Sequence, residues 1–79
     1  MTTPIKLPNL GADASEARIV AWRRRPGDLV AAGELIAEIE TDKANVDLEA
    51  PVSGRLAEIL APEGSEVAVG TVIATIEDA

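Results

Sequence analysis

Few residues of this chain could take part in chemistry, and Lys43 stands out among them. It lies in the polar stretch Glu40-Thr41-Asp42-Lys43-Ala44, between two segments in which apolar and polar residues alternate. A lysine that acts as a base or forms a Schiff base usually has a pKa lowered by burial or by a nearby cation. Because Asp42 is its neighbour and a polar turn is open to water, we expect this amine to stay protonated. Lys43 is thus better suited to being modified by another enzyme than to catalysis. The alternative for a lysine in an isolated turn is an ordinary solvated side chain.

The sequence has few side chains that could serve any other catalytic chemistry. There is no His, Cys or Tyr among the 79 residues, so the side chains most used as bases and nucleophiles are missing. Ser53 and Ser65 have no histidine partner, which excludes a serine-type triad. Without cysteine, neither a disulfide nor a thiolate metal site can form. We therefore expect no catalytic residue in this chain.

Charge and hydropathy exclude two further classes of function. The net charge of −7 argues against a surface for nucleic acid or for an anionic membrane, and we read the basic run Arg23 to Arg25 as a solvated strand end. No apolar run approaches the ~20 residues of a membrane span, and the N-terminus does not resemble a signal peptide. We expect one soluble, monomeric, cytoplasmic domain covering residues 1–79.

The segments on either side of Lys43 predict a β-hairpin with one preferred register. Both alternate with the period of a half-buried strand. With Asp42 and Lys43 as a two-residue turn, every apolar residue of one face meets an apolar partner, whereas a slip by one residue would set apolar side chains against carboxylates. The predicted pairs are Ile39 with Val46, Ala37 with Leu48, and Leu35 with Ala50.

Four carboxylates share the outward face of this predicted hairpin: Glu38, Glu40, Asp47 and Glu49. We call them the acidic flank. Four carboxylates could hold a calcium ion, but side chains on an open strand face rarely converge on one point. Solvation and recognition by a partner are the favoured interpretation, and no metal site is predicted.

The second half of the chain repeats the first. A shift of 37 positions aligns Arg18 with Arg55, Gly27 with Gly64, and Glu40 with Glu77 without a gap. Two copies of one supersecondary unit, about residues 4–40 and 45–77, predict eight short strands in two packed antiparallel sheets with a pseudo-two-fold axis. The same shift places Lys6, the other lysine, on Lys43. Met1 to Thr3 are expected to fray, and the chain termini to lie opposite the Lys43 turn.

One loop is longer than the repeat requires. Asn9 to Glu16 follows the leading strand of the first copy, whereas the second copy has the tight Pro51-Val52-Ser53-Gly54 at this point. A loop that exceeds the needs of the fold is a candidate for recognition, and Gly11 and Asp13 are its candidate residues.

The motif and its surroundings resemble the lipoyl domains of 2-oxo acid dehydrogenase complexes, which are parts of dihydrolipoyl acyltransferases. The resemblance rests on Glu40 to Ala44, the preceding Gly33 to Ile39, and the following Glu49-Ala50-Pro51 and Gly54, and it covers nearly the whole chain. It implies a flattened eight-stranded β-barrel and lipoic acid in amide linkage to Lys43. It also implies that Glu40, Thr41, Asp42 and Ala44 take part in recognition.

By the same resemblance, the chain is a non-catalytic carrier whose lipoyl group works as a swinging arm. A thiamine-diphosphate-dependent 2-oxo acid decarboxylase would load the arm, an acyltransferase site would unload it, and dihydrolipoyl dehydrogenase would reoxidise it. A separate enzyme would attach the lipoate. Tethering makes each of these encounters intramolecular and raises the effective concentration.

Two alternatives share the predicted fold. In a biotin carrier domain the lysine is typically flanked by methionines, whereas Lys43 stands between Asp42 and Ala44, and Met1 is the single methionine. An unmodified structural module would not need a lysine at the hairpin tip. Leu10 to Glu16, in the loop Asn9 to Glu16, departs from the family pattern, so the sequence does not identify the 2-oxo acid.

Overall fold

The computed structural model describes residues 1–8, 15–41 and 44–78. Within them the chain forms eight strands. In chain order these are β1 (Thr2–Lys6), β2 (Glu16–Trp22), β3 (Leu29–Val30), β4 (Leu35–Glu40), β5 (Asn45–Glu49), β6 (Gly54–Ile59), β7 (Glu66–Ala68) and β8 (Val72–Asp78). The described residues include no helix that is long and apolar enough to cross a membrane.

The strands form two four-stranded antiparallel sheets, with the orders β1-β8-β6-β3 and β5-β4-β2-β7. The all-β prediction and its two sheets are confirmed. β1 is an edge strand, which suits Pro4 because proline has no amide hydrogen to donate to a ladder. The expectation that Met1 to Thr3 fray is wrong, since Thr2 and Thr3 pair with Glu77 and Ile76 of β8.

The predicted pseudo-two-fold symmetry is present, and it relates the first four strands to the last four. β1 is equivalent to β5, β2 to β6, β3 to β7, and β4 to β8. Exchanging equivalent strands converts the order of one sheet into that of the other. The turns repeat as well, because Gly27 and Gly64 have φ values of 99° and 88°, a region that glycine enters without steric cost. An irregularity in strand pairing also recurs at equivalent positions. It lies between Leu35 and Ala37 of β4 and between Val72 and Ala74 of β8.

The leading strands β1 and β5 follow the symmetry with a different offset. Ile5 pairs with Ala74 just as Leu48 pairs with Ala37, so equivalent residues here are 43 apart and not 37. Lys6 therefore corresponds to Glu49, and the predicted equivalence of Lys6 and Lys43 is wrong. The difference between the two offsets means that the path from Lys6 to Ala17 is six residues longer than the equivalent path from Glu49 to Gly54.

The core lies between the sheets and consists of aliphatic side chains. Its largest fully buried members come from both halves of the chain: Leu7, Ile19, Ile36, Ile39, Leu56, Ile73 and Ile76. Trp22, the one aromatic residue, packs against this cluster, and its Nε1 donates a 2.8 Å hydrogen bond to the carbonyl of Ala61. The indole thereby ties β2 to the second half of the chain.

Candidate functional site: the β4–β5 hairpin

β4 and β5 pair largely as the sequence predicts. Ile39 faces Val46 and Ala37 faces Leu48, but Leu35 pairs with Glu49 and not with Ala50. The reason is a bulge between Leu35 and Ala37, where Ile36 is an extra residue. Ile36 and Ala37 are both fully buried, whereas Leu35 points out and is 36% exposed. Strict alternation cannot reveal a bulge, because two consecutive buried residues break the period of two.

Beyond the strand ends, Thr41 and Ala44 close the hairpin. The amide of Thr41 donates a 2.8 Å hydrogen bond to the carbonyl of Ala44. The Thr41 hydroxyl donates to the same carbonyl at 3.0 Å and accepts from the Ala44 amide at 3.1 Å. In the sequence, Asp42 and Lys43 are the two residues between this pair. Three hydrogen bonds thus join the residue before Asp42 to the residue after Lys43.

Four of the predicted site residues lie outside the described residues: Gly11, Asp13, Asp42 and Lys43. Of the others, Thr41 and Ala44 are brought together as described above. Glu40 ends β4, and its carboxylate Oε1 lies 2.5 Å from Arg18 Nη2. The roles assigned to these residues remain predictions.

The acidic flank is divided by ion pairs that the sequence analysis did not foresee. Glu40 pairs with Arg18, and Glu38 pairs with Arg23 at 3.0 Å. The two flank residues on β5, Asp47 and Glu49, are exposed and have no ion pair within residues 1–8, 15–41 and 44–78. The unpaired negative charge of the flank is therefore carried by β5.

The run of three arginines is also used differently from the prediction of a solvated strand end. Arg24 Nε lies 2.5 Å from a carboxylate oxygen of Glu34, so both Arg23 and Arg24 bind carboxylates of β4 or of the turn before it. Spacing along one strand does not show which side chains meet across two strands, and this is why the pairs were missed.

A shallow polar depression of about 310 Å³ lies beside the hairpin. Its walls come from β2, β7 and the end of β4: Glu16, Ala17, Arg18, Glu40, Thr41 and Glu66. In the described part of the chain, no three acidic side chains converge as metal ligands would. The residues at hand offer no support for the calcium alternative.

The symmetry-related end of the molecule has a different arrangement. Glu77, the equivalent of Glu40, accepts a 2.8 Å hydrogen bond from the Thr2 hydroxyl, and the Met1 ammonium lies 3.5 Å from its other oxygen. The Thr2 hydrogen bond, followed by the ammonium charge, lowers the pKa of Glu77. Thus Glu77 binds residues of the N-terminus at one end of the molecule, whereas Glu40 binds Arg18 beside the hairpin at the other.

Comparison with known proteins agrees with this geometry. Residues 3–76 match the Biotin_lipoyl family model, which is described as "Biotin-requiring enzyme". The chain is 47% identical over 74 residues to the dihydrolipoyllysine-residue succinyltransferase component of the 2-oxoglutarate dehydrogenase complex of Bacillus subtilis. It is 45% identical over 80 residues to the dihydrolipoyllysine-residue acetyltransferase component of the pyruvate dehydrogenase complex of Zymomonas mobilis. These matches cover 94% and 100% of this chain but 18% of either relative.

Solved structures give the same fold. The lipoyl domain of the 2-oxoglutarate dehydrogenase complex from Azotobacter vinelandii superimposes with a TM-score of 0.79 at 32% identity, covering 96% of both chains. Urea carboxylase from Kluyveromyces lactis contains a similar unit, with a TM-score of 0.81 and 25% identity over 98% of this chain and 6% of its own. The chain belongs to the biotinyl/lipoyl domain family, and its sequence relatives are acyltransferase components of 2-oxo acid dehydrogenase complexes.

Proposed function

We propose that this chain is a lipoyl carrier domain and that Lys43 carries lipoic acid in amide linkage. The observation that supports it most is the closure of the β4–β5 hairpin by Thr41 and Ala44, since Lys43 is one of the two residues that the sequence puts between them. We expect an attaching enzyme to reach a lysine at this place in the sequence, because the residues around it are polar. The relatives, which are dihydrolipoyllysine-residue acyltransferases by name, favour lipoate as the attached group.

Lys43 would hold the lipoyl group, and the group would supply a dithiolane able to carry acyl groups between a thiamine-diphosphate-dependent decarboxylase and an acyltransferase site, with dihydrolipoyl dehydrogenase as the reoxidising partner. This chain contributes the rigid base of the arm. Its two sheets are joined by an aliphatic core, and the hydrogen bonds between Thr41 and Ala44 hold the adjoining ends of β4 and β5 together. Asp47 and Glu49 add exposed negative charge that a partner can read.

Biotin is the second candidate, because the family includes biotin-requiring enzymes and the urea carboxylase unit has the same fold. The residues around Lys43 favour lipoate, since Asp42 and Ala44 stand where a biotin carrier typically has methionines. An unmodified structural module of this fold is the third candidate. It gives no reason for a lysine in the hairpin.

The intact mass of the protein, expressed with both lipoate and biotin in the medium, distinguishes these candidates. We expect the mass to increase by one lipoyl group, and expression without lipoate in cells unable to make it to remove the increase. An increase by one biotinyl group would support the second candidate. An unchanged mass with lipoate and an attaching enzyme present would support the third.

The chain spans 18 to 19% of the length of two of the curated relatives that it matches, so we propose that it works as one domain of a longer acyltransferase. The acyltransferase site would then lie in another domain, and this domain would itself be non-catalytic. Residues 1–79 form the single folding unit in this proposal, which is monomeric in isolation and resides in the cytoplasm.

A further inference from the structure

Arg18 lies on β2 between carboxylates on both neighbouring strands. It pairs across the ladder with Glu40 of β4 and with Glu66 of β7. Its guanidinium binds Glu40 at 2.5 Å, whereas Glu66 has no ion pair within the described ranges. Arg18 thus joins an inner strand of the sheet to Glu40, the last residue of β4 and the neighbour of Thr41.

The pseudo-two-fold axis provides an internal comparison. Arg55 of β6 is the equivalent of Arg18, and it pairs across the ladder with Glu77, the equivalent of Glu40. There the carboxylate turns to Thr2 and the Met1 ammonium, and no ion pair joins it to Arg55 in the described part of the chain. The same two residue types at equivalent positions form an ion pair at the hairpin end and none at the terminal end.

We propose that Arg18 is a positioning residue of the attachment hairpin. By holding the Glu40 carboxylate, it fixes the end of β4 and keeps the closure between Thr41 and Ala44 in one arrangement for the enzymes that act on Lys43. The effect on enzymes that act on Lys43 rests on the proposed function. The effect of Arg18 on the closure between Thr41 and Ala44 does not. Because both side chains are about half exposed, we expect loss of this ion pair to change amide exchange rates and the KM for attachment by only a few-fold.

Amide hydrogen exchange tests the structural part. In Arg18→Gln, the amides of Thr41 and Ala44 should exchange faster than in the wild type, by roughly two- to five-fold for the loss of an exposed ion pair. Arg55→Gln is the matched control, because it makes the same change of net charge at the equivalent position. It should leave these two amides unchanged. Equal exchange in the two variants would overturn the proposal.

Attachment kinetics test the functional part, with lipoate, ATP and a lipoate-attaching enzyme as the probe. We expect Arg18→Gln to raise the KM for the protein by about two- to five-fold with kcat unchanged, the effect of an exposed ion pair. Arg18→Lys should recover part of the loss, and Arg55→Gln should match the wild type.

A double-mutant cycle shows whether Arg18 acts through Glu40. The combined variant Arg18→Gln/Glu40→Gln should be no slower than either single variant, because each substitution breaks the same ion pair. Additive effects would overturn the proposal. A wild type that accepts no lipoate would reject the proposed function and leave the exchange result standing, so the two failures are distinguishable.

Discussion

The amide of Asp78 donates a 2.8 Å hydrogen bond to the carbonyl of Met1, and this bond is the symmetry-related counterpart of the one from Thr41 to Ala44. Each bond lies at the end of a pair of strands: Thr41 follows β4 and Ala44 precedes β5, whereas Asp78 ends β8 and Met1 precedes β1. A two-residue connection follows Thr41, whereas β8 and β1 come from opposite ends of the sequence. The repeat therefore provides one closed hairpin, and the lysine of the motif belongs to it.

The register of this hairpin predicts the cost of trimming its apolar face. Val46 is half-buried opposite Ile39, so Val46→Ala should lower the free energy of unfolding by about 1 to 2 kcal/mol. Leu48→Ala, at a buried position of the same strand, should cost about 2 to 4 kcal/mol. Chemical denaturation measures both. A loss of only a few tenths for Val46→Ala would mean that this side chain faces solvent.

Glycines on the two sides of the axis predict contrasting effects of an added methyl group. A Cβ on Gly54 would lie 2.3 Å from the carbonyl oxygen of Glu77 and 2.8 Å from Ile76 Cγ2, so Gly54→Ala should cost about 3 kcal/mol or more. Gly33 has a φ of +87° and open space around it, so Gly33→Ala should cost only about 1 kcal/mol from backbone strain. Thermal unfolding of both variants checks the order. A larger loss at Gly33 would contradict the packing described for β6 and β8.

Much of the fold follows from the sequence, and the exceptions have physical causes. Alternation and the 37-residue repeat predict the strands, the two sheets and the pairing of Ile39 with Val46. They miss the bulge at Ile36, because local strand irregularity is decided by packing between the sheets. They also misplace Lys6, because an offset that holds from Arg18 onward is extended across a loop of different length. The Arg18 ion pair depends on contacts between strands and has no signal along the chain.

Recognition by the decarboxylase should depend on predicted recognition residues whose substitution attachment tolerates. Asp42→Ala should remain lipoylated but be reductively acylated more slowly, and substitutions at Gly11 and Asp13 should have the same effect. The reason is that attachment depends mainly on the position of the lysine, whereas a cognate partner reads the surrounding surface. Lipoylation is followed by mass and acylation by rate, with the decarboxylases of the pyruvate and 2-oxoglutarate complexes. Loop variants that match the wild type with the faster decarboxylase would exclude the loop from recognition.

Site-specific mass analysis shows whether Lys43 is the one attachment site. The wild type, Lys43→Gln and Lys6→Gln are each expressed with lipoate and an attaching enzyme. Lys6, exposed on β1 and equivalent to Glu49, is the matched control. We predict one lipoyl group on the wild type and on Lys6→Gln, and none on Lys43→Gln. A lipoyl group retained on Lys43→Gln, or lost from Lys6→Gln, would mean that Lys43 is not the attachment site.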